Sequence, residues 1–138
     1  MTNLHQVYLG LGSNLGNREK NLACAIRLIG ERVGEVLRQS HIIETEPWGF
    51  ESENRFVNGV ILCETKLSPR EVLGVTQKIE REMGRRKKST NSGYADRCID
   101  IDILLYDDLR VDDPDLQIPH PQMLKRDFVM IPLNEIRD

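Results

Sequence analysis

Two stretches of helical periodicity set among four stretches of strand character predict an α+β domain with an antiparallel sheet and its helices on one sheet face. Their order is β-α-β-β-α-β, the split-βαβ or ferredoxin-like arrangement, in which one sheet face is covered and the other stays available. At 138 residues the chain suits one domain spanning 1–138 with a single core.

The first strand is read over Gln6 to Gly12, an apolar run that ends in a Gly, Ser and Asn turn. A helix follows from about Arg18, with Asn17 in position to cap it. Leu22, Ile26, Ile29 and Val33 recur at helical spacing as its buried stripe, and Gly34 stops it. Val36 to Ile43 reads as a second strand, and the Pro47- and Gly49-containing segment after it as a loop. Phe56 to Glu64 is rich in strand formers. Ser68, Pro69 and Glu71 form a capping box with proline in the first turn, and Val72, Val75, Ile79 and Met83 give the apolar stripe that Gly84 closes. The polar, basic stretch after Gly84 has no core-forming period and reads as a loop. Cys98 to Tyr106 is the last clear strand. From Asp107 onward, Pro114, Pro119, Pro121 and Pro132 predict mostly irregular chain.

Composition excludes several classes. Hydrophobic residues at 39% and charged residues at 30% describe an ordinary globular protein, with no apolar run long enough to span a bilayer and no signal-peptide pattern at the N-terminus. The expectation is a cytoplasmic protein without a membrane partner. Cys24, Cys63 and Cys98 are odd in number and far apart, so they read as small buried hydrophobes. A net charge of −3 argues against nucleic acid as a partner. RNA-binding modules share the β-α-β-β-α-β order, but they stack bases on several strand aromatics, and R-F-V-N-G-V offers one. Charge is nonetheless uneven. Arg81, Arg85, Arg86, Lys87 and Lys88 crowd one stretch, a pattern that fits a small polyanion.

The chemistry begins in the last strand. Alternation there puts Ile99, Ile101, Ile103 and Leu105 on one face and Asp100 and Asp102 on the other, ~7 Å apart along the strand. Aspartate is poor in strands, and like charges on one face repel, a cost that a cation between them removes. Hard carboxylate oxygens favour magnesium, which keeps several waters and also binds substrate phosphates. The basic loop just before this strand supplies Arg85, Arg86, Lys87, Lys88 and Arg97 to neutralise phosphate charge, and its small residues fit a lid that orders on ligand.

Gly10-Leu11-Gly12-Ser13-Asn14-Leu15-Gly16 lacks the Gly-Lys-Ser/Thr ending of a phosphate loop and the third glycine of the dinucleotide fingerprint. Its glycines instead permit a tight turn and the close approach of a flat ligand. Phe56 and Asn58 share a strand face, an aromatic platform beside an amide, which suits a planar heterocycle. Trp48, in the Pro/Gly loop, fits a ligand wall and a packing anchor equally well.

Y-L-G-L-G-S-N-L-G, T-E-P-W-G, F-V-N, Q-K-I-E-R-E-M-G-R, D-R-C-I-D-I-D-I-L-L, I-P-H-P and R-D-F stand in this order from about Tyr8 through Leu133. In these pieces the chain resembles the 6-hydroxymethyl-7,8-dihydropterin pyrophosphokinases of folate biosynthesis, which transfer pyrophosphate from ATP to the pterin's hydroxymethyl oxygen and release AMP. The resemblance implies that Asp100 and Asp102 bind two magnesium ions, and that ATP is the co-substrate. It implies that Arg85, Lys87 and Arg97 contact ATP phosphates, with Arg85 and Arg97 joining the aspartates in catalysis. Gln77, Ile103, His120 and Arg126 fall at other nucleotide-site positions. Gly12, Thr45, Trp48, Phe56, Asn58 and Phe128 match the pterin pocket, with Phe56 and Phe128 sandwiching the ring and Asn58 reading its edge. Tyr94, where a tryptophan is frequent, is grouped with the substrate residues. Lys87 stands where arginine is common and Pro121 where a tyrosine often occurs. A monomer acting on small molecules is expected.

Overall fold

In a computed structural model of the chain, residues 4–45, 55–84 and 98–137 are described. The caps expected from the sequence are made. Helix α1 (Arg18–Arg32) begins where the Asn17 side chain accepts a hydrogen bond from the Lys20 amide at 3.1 Å. Helix α2 (Pro69–Gly84) begins with both halves of the capping box. The Ser68 amide donates to Glu71 Oε1 at 2.9 Å, and the Glu71 amide donates to Ser68 Oγ at 3.2 Å.

Strands β1 (His5–Ser13), β2 (Gly34–Gln39), β3 (Ile43–Thr45), β4 (Phe56–Thr65) and β5 (Asp100–Tyr106) form one antiparallel sheet of order β2-β4-β1-β5, with β3 also paired to β4. The single strand expected from Val36 to Ile43 is therefore two. Ser40 breaks it: its amide donates to the Val60 carbonyl, while its hydroxyl takes the Val60 amide at 2.9 Å in place of a backbone carbonyl. A register shift between Val36 and Arg38 adds to the jog.

Alternation along the central strands divides two cores. Leu22, Ala25 and Ile29 of α1 and Val72 and Ile79 of α2 pack on Val7, Leu9, Leu11, Val57, Ile61, Ile101 and Ile103. On the opposite face Val60, Leu62 and Leu104 pack on Met123, Val129, Leu133 and Ile136. The last three belong to α3 (Asp127–Ile136). Two expectations are corrected by this second core. The helices do not all lie on one face, because α3 covers part of the other. Nor is the C-terminal stretch mostly irregular, since it forms a hairpin of β6 (Val111–Asp113) and β7 (Leu116–Ile118), a 3-10 turn at Met123–Lys125, and α3. The proline content misled the reading: Pro132 lies inside α3 and is buried, and Val129, Pro132, Leu133 and Ile136 stand at helical spacing. Leu105 also departs from its expected face. The register shifts between Tyr8 and Leu9, so that Leu9 faces Ile103 while Tyr8 faces Leu105, and Leu105 then packs with the second core.

Candidate active site

The face carrying α3 also carries several of the candidate residues. Gly12 of β1 is in register with Asp100 on one side and with Asn58 on the other, and Asn58 is in register with Ile43. One step along, Gly10 lies between Asp102 and Val60. Strand spacing puts Asp100 roughly 10 Å from Asn58, with Gly12 between them adding no side chain. A Cβ added at Gly12 would lie 2.9 Å from Asn58 Oδ1 and 3.5 Å from Phe56 Cδ1, so glycine keeps the floor open there.

Of the candidates for the pterin side, Thr45, Phe56 and Asn58 are neighbours. Thr45 is in register with Phe56, and its Oγ1 accepts a hydrogen bond from Asn58 Nδ2 at 2.8 Å. The buried Asn58 amide thus turns Nδ2 to Thr45 and Oδ1 toward Gly12.

The opposite wall comes from the chain after β7. The His120 amide donates to the Leu104 carbonyl at 3.0 Å, which seats this segment against β5. His120 Nδ1 accepts from the Gln122 amide at 3.2 Å, so the neutral ring carries its proton on Nε2. Burial, then the neighbouring Arg126 cation, pushes the His120 pKa below its ordinary value, with Asp100 opposing the shift. His120 is therefore a neutral donor at pH 7. Arg126, whose side chain is only 10% exposed, places Nη1 4.0 Å from Asp102 Oδ2. Its Nη2 donates to Gln122 Oε1, and the guanidinium sits 5.5 Å from the centre of the Phe128 ring.

Asp100, Asp102, His120, Arg126, Phe128, Gly12, Phe56, Asn58 and Thr45 thus share one face. Two expected residues stand elsewhere. Ile103 is 5% exposed and packs in the core beneath α1 and α2, so its side chain cannot line the site. Gln77 is exposed on α2. Trp48, Arg85, Lys87, Tyr94 and Arg97 lie outside the described residues. Sequence reasoning assigned no role to Glu80 or Gln122. Glu80 Oε2 accepts the Ile101 amide at 2.8 Å, between the two aspartates, and stands one helical turn from Gln77. That spacing was the available signal. Gln122 offered none, because its work depends on a fold-dependent neighbour.

No group of three or more His, Cys, Asp or Glu residues that could hold a metal occurs among the described residues. A protein cage is therefore not on offer there, but two carboxylates on one strand suit magnesium, which completes its shell with water and substrate phosphate.

A family model described as 7,8-dihydro-6-hydroxymethylpterin-pyrophosphokinase (HPPK) matches residues 8–138. A 2-amino-4-hydroxy-6-hydroxymethyldihydropteridine pyrophosphokinase of Porphyromonas gingivalis is 50% identical over 131 residues, covering 94% of this chain and 89% of that protein. The enzyme of that name from Aquifex aeolicus is 42% identical over 130 residues, covering 94% of this chain and 79% of its own length. Among solved structures, wild-type Plasmodium falciparum HPPK-DHPS superposes with a TM-score of 0.74 at 18% identity, over 96% of this chain and 40% of that one. That likeness concerns the fold, and this chain spans about 40% of the longer protein. With the family model covering nearly the whole sequence and relatives this similar over most of their own length, the chain belongs to the 7,8-dihydro-6-hydroxymethylpterin-pyrophosphokinase family.

Proposed function

We propose that the sheet face shared by β1, β4, β5 and α3 is where this chain transfers pyrophosphate from ATP to the hydroxymethyl group of 6-hydroxymethyl-7,8-dihydropterin in folate biosynthesis. The observation that carries the reading is that Asp100 and Asp102 share a face with Phe56, Asn58 and Phe128, and that Gly12 puts no side chain between Asp100 and Asn58.

The pterin ring lies between Phe56 and Phe128. Asn58 Oδ1 accepts from the ring's edge, while one Nδ2 hydrogen goes to Thr45 Oγ1. Gly12 allows the ring to approach the backbone, and Trp48 and Tyr94 complete the substrate side. On the nucleotide side, Arg126 and the Nε2 proton of neutral His120 donate to phosphate oxygens, joined by Arg85, Lys87 and Arg97. Ile103 acts through its backbone. The Ile101 amide points off the free edge of β5 toward Glu80, and the amide of Ile103, two residues on, points off the same edge, where it can read an adenine. Gln77, one turn from Glu80, borders that edge.

Asp100 and Asp102 would hold magnesium, two ions, which with ATP bound would neutralise phosphate charge and lower the pKa of the attacking hydroxyl. The pterin hydroxymethyl oxygen attacks the β-phosphorus, a new O–P bond forms, the bridge to the α-phosphate breaks, and AMP leaves on the opposite side. Positioning and charge neutralisation carry the reaction, and no described side chain is placed as a separate general base.

The strand order β2-β4-β1-β5 with α1 and α2 on one face supports a ferredoxin-like βαββαβ core, to which α3 and the β6–β7 hairpin are added. Residues 1–138 form one domain, working as a cytoplasmic monomer. Among the described residues no helix is long and apolar enough to cross a membrane. Incubation with ATP, magnesium and the hydroxymethyl dihydropterin should release AMP only when the pterin is present. Absence of pterin-dependent AMP would sink the reading.

A further inference from the structure

Arg18 is the first residue of α1, where the helix dipole disfavours a cation, so the helix itself does not explain it. Its guanidinium is engaged elsewhere. Nη1 donates to the Arg55 carbonyl at 2.8 Å, and Nη2 pairs with Glu44 Oε2 at 2.8 Å. Arg55 Nη1 reaches the other Glu44 oxygen at 3.4 Å. The Glu44 carboxyl is held below its usual range, chiefly by Arg18 and then by Arg55.

Glu44 immediately precedes Thr45, and Arg55 immediately precedes Phe56, its register partner. Glu44 itself is in register with Val57, which points into the core beneath α1 and α2. Arg18 therefore grips the β3–β4 pair from the face opposite the site. A strand as short as β3, with three paired residues, gains little from its ladder alone. Yet Thr45 on β3 orients the Asn58 amide.

We propose that Arg18 is a positioning residue for the pterin side of the reaction. By bridging Glu44 to the Arg55 carbonyl it holds β3 on β4, and through Thr45 it fixes the amide that reads the pterin edge. This deepens the active-site reading and rests on it. Lysine at this position would keep the charge and lose the two-pronged geometry.

The test is a split between the two substrates. Arg18→Ala should raise the pterin KM about three- to tenfold, the range for a partly exposed ion pair reinforced by a backbone contact, while the ATP KM and kcat stay within about twofold. Arg18→Lys should fall between. Glu44→Gln should reproduce the effect, and the double variant should be little worse than either single one, since both remove one bridge. Arg27→Ala, on the exposed side of α1, should change nothing. Native-state hydrogen exchange supplies a readout that needs no turnover: the Ile43 and Thr45 amides, in register with Asn58 and Phe56, should lose protection in Arg18→Ala and in Glu44→Gln. An unchanged pterin KM, an equal change in both KM values, additive single variants, or unchanged β3 protection overturns the proposal. Absence of pterin-dependent AMP from the unaltered protein would overturn the active-site reading instead, and the exchange data would still decide whether Arg18 holds β3.

Discussion

Asp102 is the residue whose replacement separates chemistry from folding most cleanly. It stands on an open sheet face, one third exposed and 4.0 Å from Arg126 Nη1. Two like charges on one strand face cost stability, so removing one charge relieves repulsion while the amide keeps the shape. Asp102→Asn should therefore melt at or near the temperature of the unaltered protein and yet lose turnover by about a hundredfold or more, roughly 2.7 kcal/mol of transition-state stabilisation. Steady-state AMP release beside a circular-dichroism melt checks both halves; retained turnover would remove Asp102 from the metal site. Gly12 makes a different prediction. A methyl group there would press on Asn58 Oδ1 at 2.9 Å, and the amide cannot swing away without losing Thr45. Gly12→Ala should raise the pterin KM about tenfold, the cost of one lost or displaced hydrogen bond, and leave the ATP KM nearly unchanged.

At the scale of elements, α3 matters because the site wall is its N-terminal end. Its other end is tied to the strands: Arg38 Nη1 donates to the Ile136 carbonyl at 2.7 Å, and Glu135 takes both the His41 amide and its ring nitrogen, the latter at 2.9 Å. Glu135 raises the His41 pKa, and His41 in turn lowers that of Glu135. A raised histidine contributes fully below its ordinary 6.5 and loses the contribution as pH climbs through the raised value. A lowered glutamate contributes fully above its ordinary 4.5 and loses it as pH falls through the lowered value. The pair therefore stabilises most between pH 4.5 and 6.5. His41→Gln should lower the melting temperature most in that window and least on the alkaline side, by a small amount that added salt erases, because His41 is 90% exposed. A difference that grew with pH would show that the contact is not ionic. The sequence made α1, α2 and the aspartate strand legible because each rests on local signals: caps, a period, an alternation. It hid β3, the bulge that turns Leu105, and α3. The first depends on Ser40 meeting β4 and the second on Leu104 being left without a partner on β1, and α3 carries Pro132 in a place where burial on the sheet outweighs one missing backbone hydrogen bond.

The whole molecule is a sheet with unequal loads on its two faces. Beneath α1 and α2 the core is continuous and lies on the face away from the candidate site; the smaller core under α3 adjoins that site, since Phe128 packs against it and Arg126 immediately precedes the helix that forms it. Burial alone does not distinguish them: Ile29 in the first and Leu133 in the second are both fully buried. Truncation to alanine should cost about 2–5 kcal/mol at either position, through lost transfer energy and the cavity left behind. The consequences for function should differ. In Ile29→Ala the loss falls on the far side of the sheet, so the molecules that remain folded should keep the KM values of the unaltered protein. In Leu133→Ala the cavity lies under α3, and Arg126 and Phe128, held by that helix, lose their fixed relation to Asp102 and the pterin floor. Positioning carries this reaction, and a shift of about 1 Å can cost a hundredfold. Well below both melting temperatures, Leu133→Ala should therefore lose kcat and raise both KM values, while Ile29→Ala, matched to it in stability by denaturant titration, should not. Equal kinetic losses in the two variants would show that the site answers to overall stability and that the second core has no special hold on it.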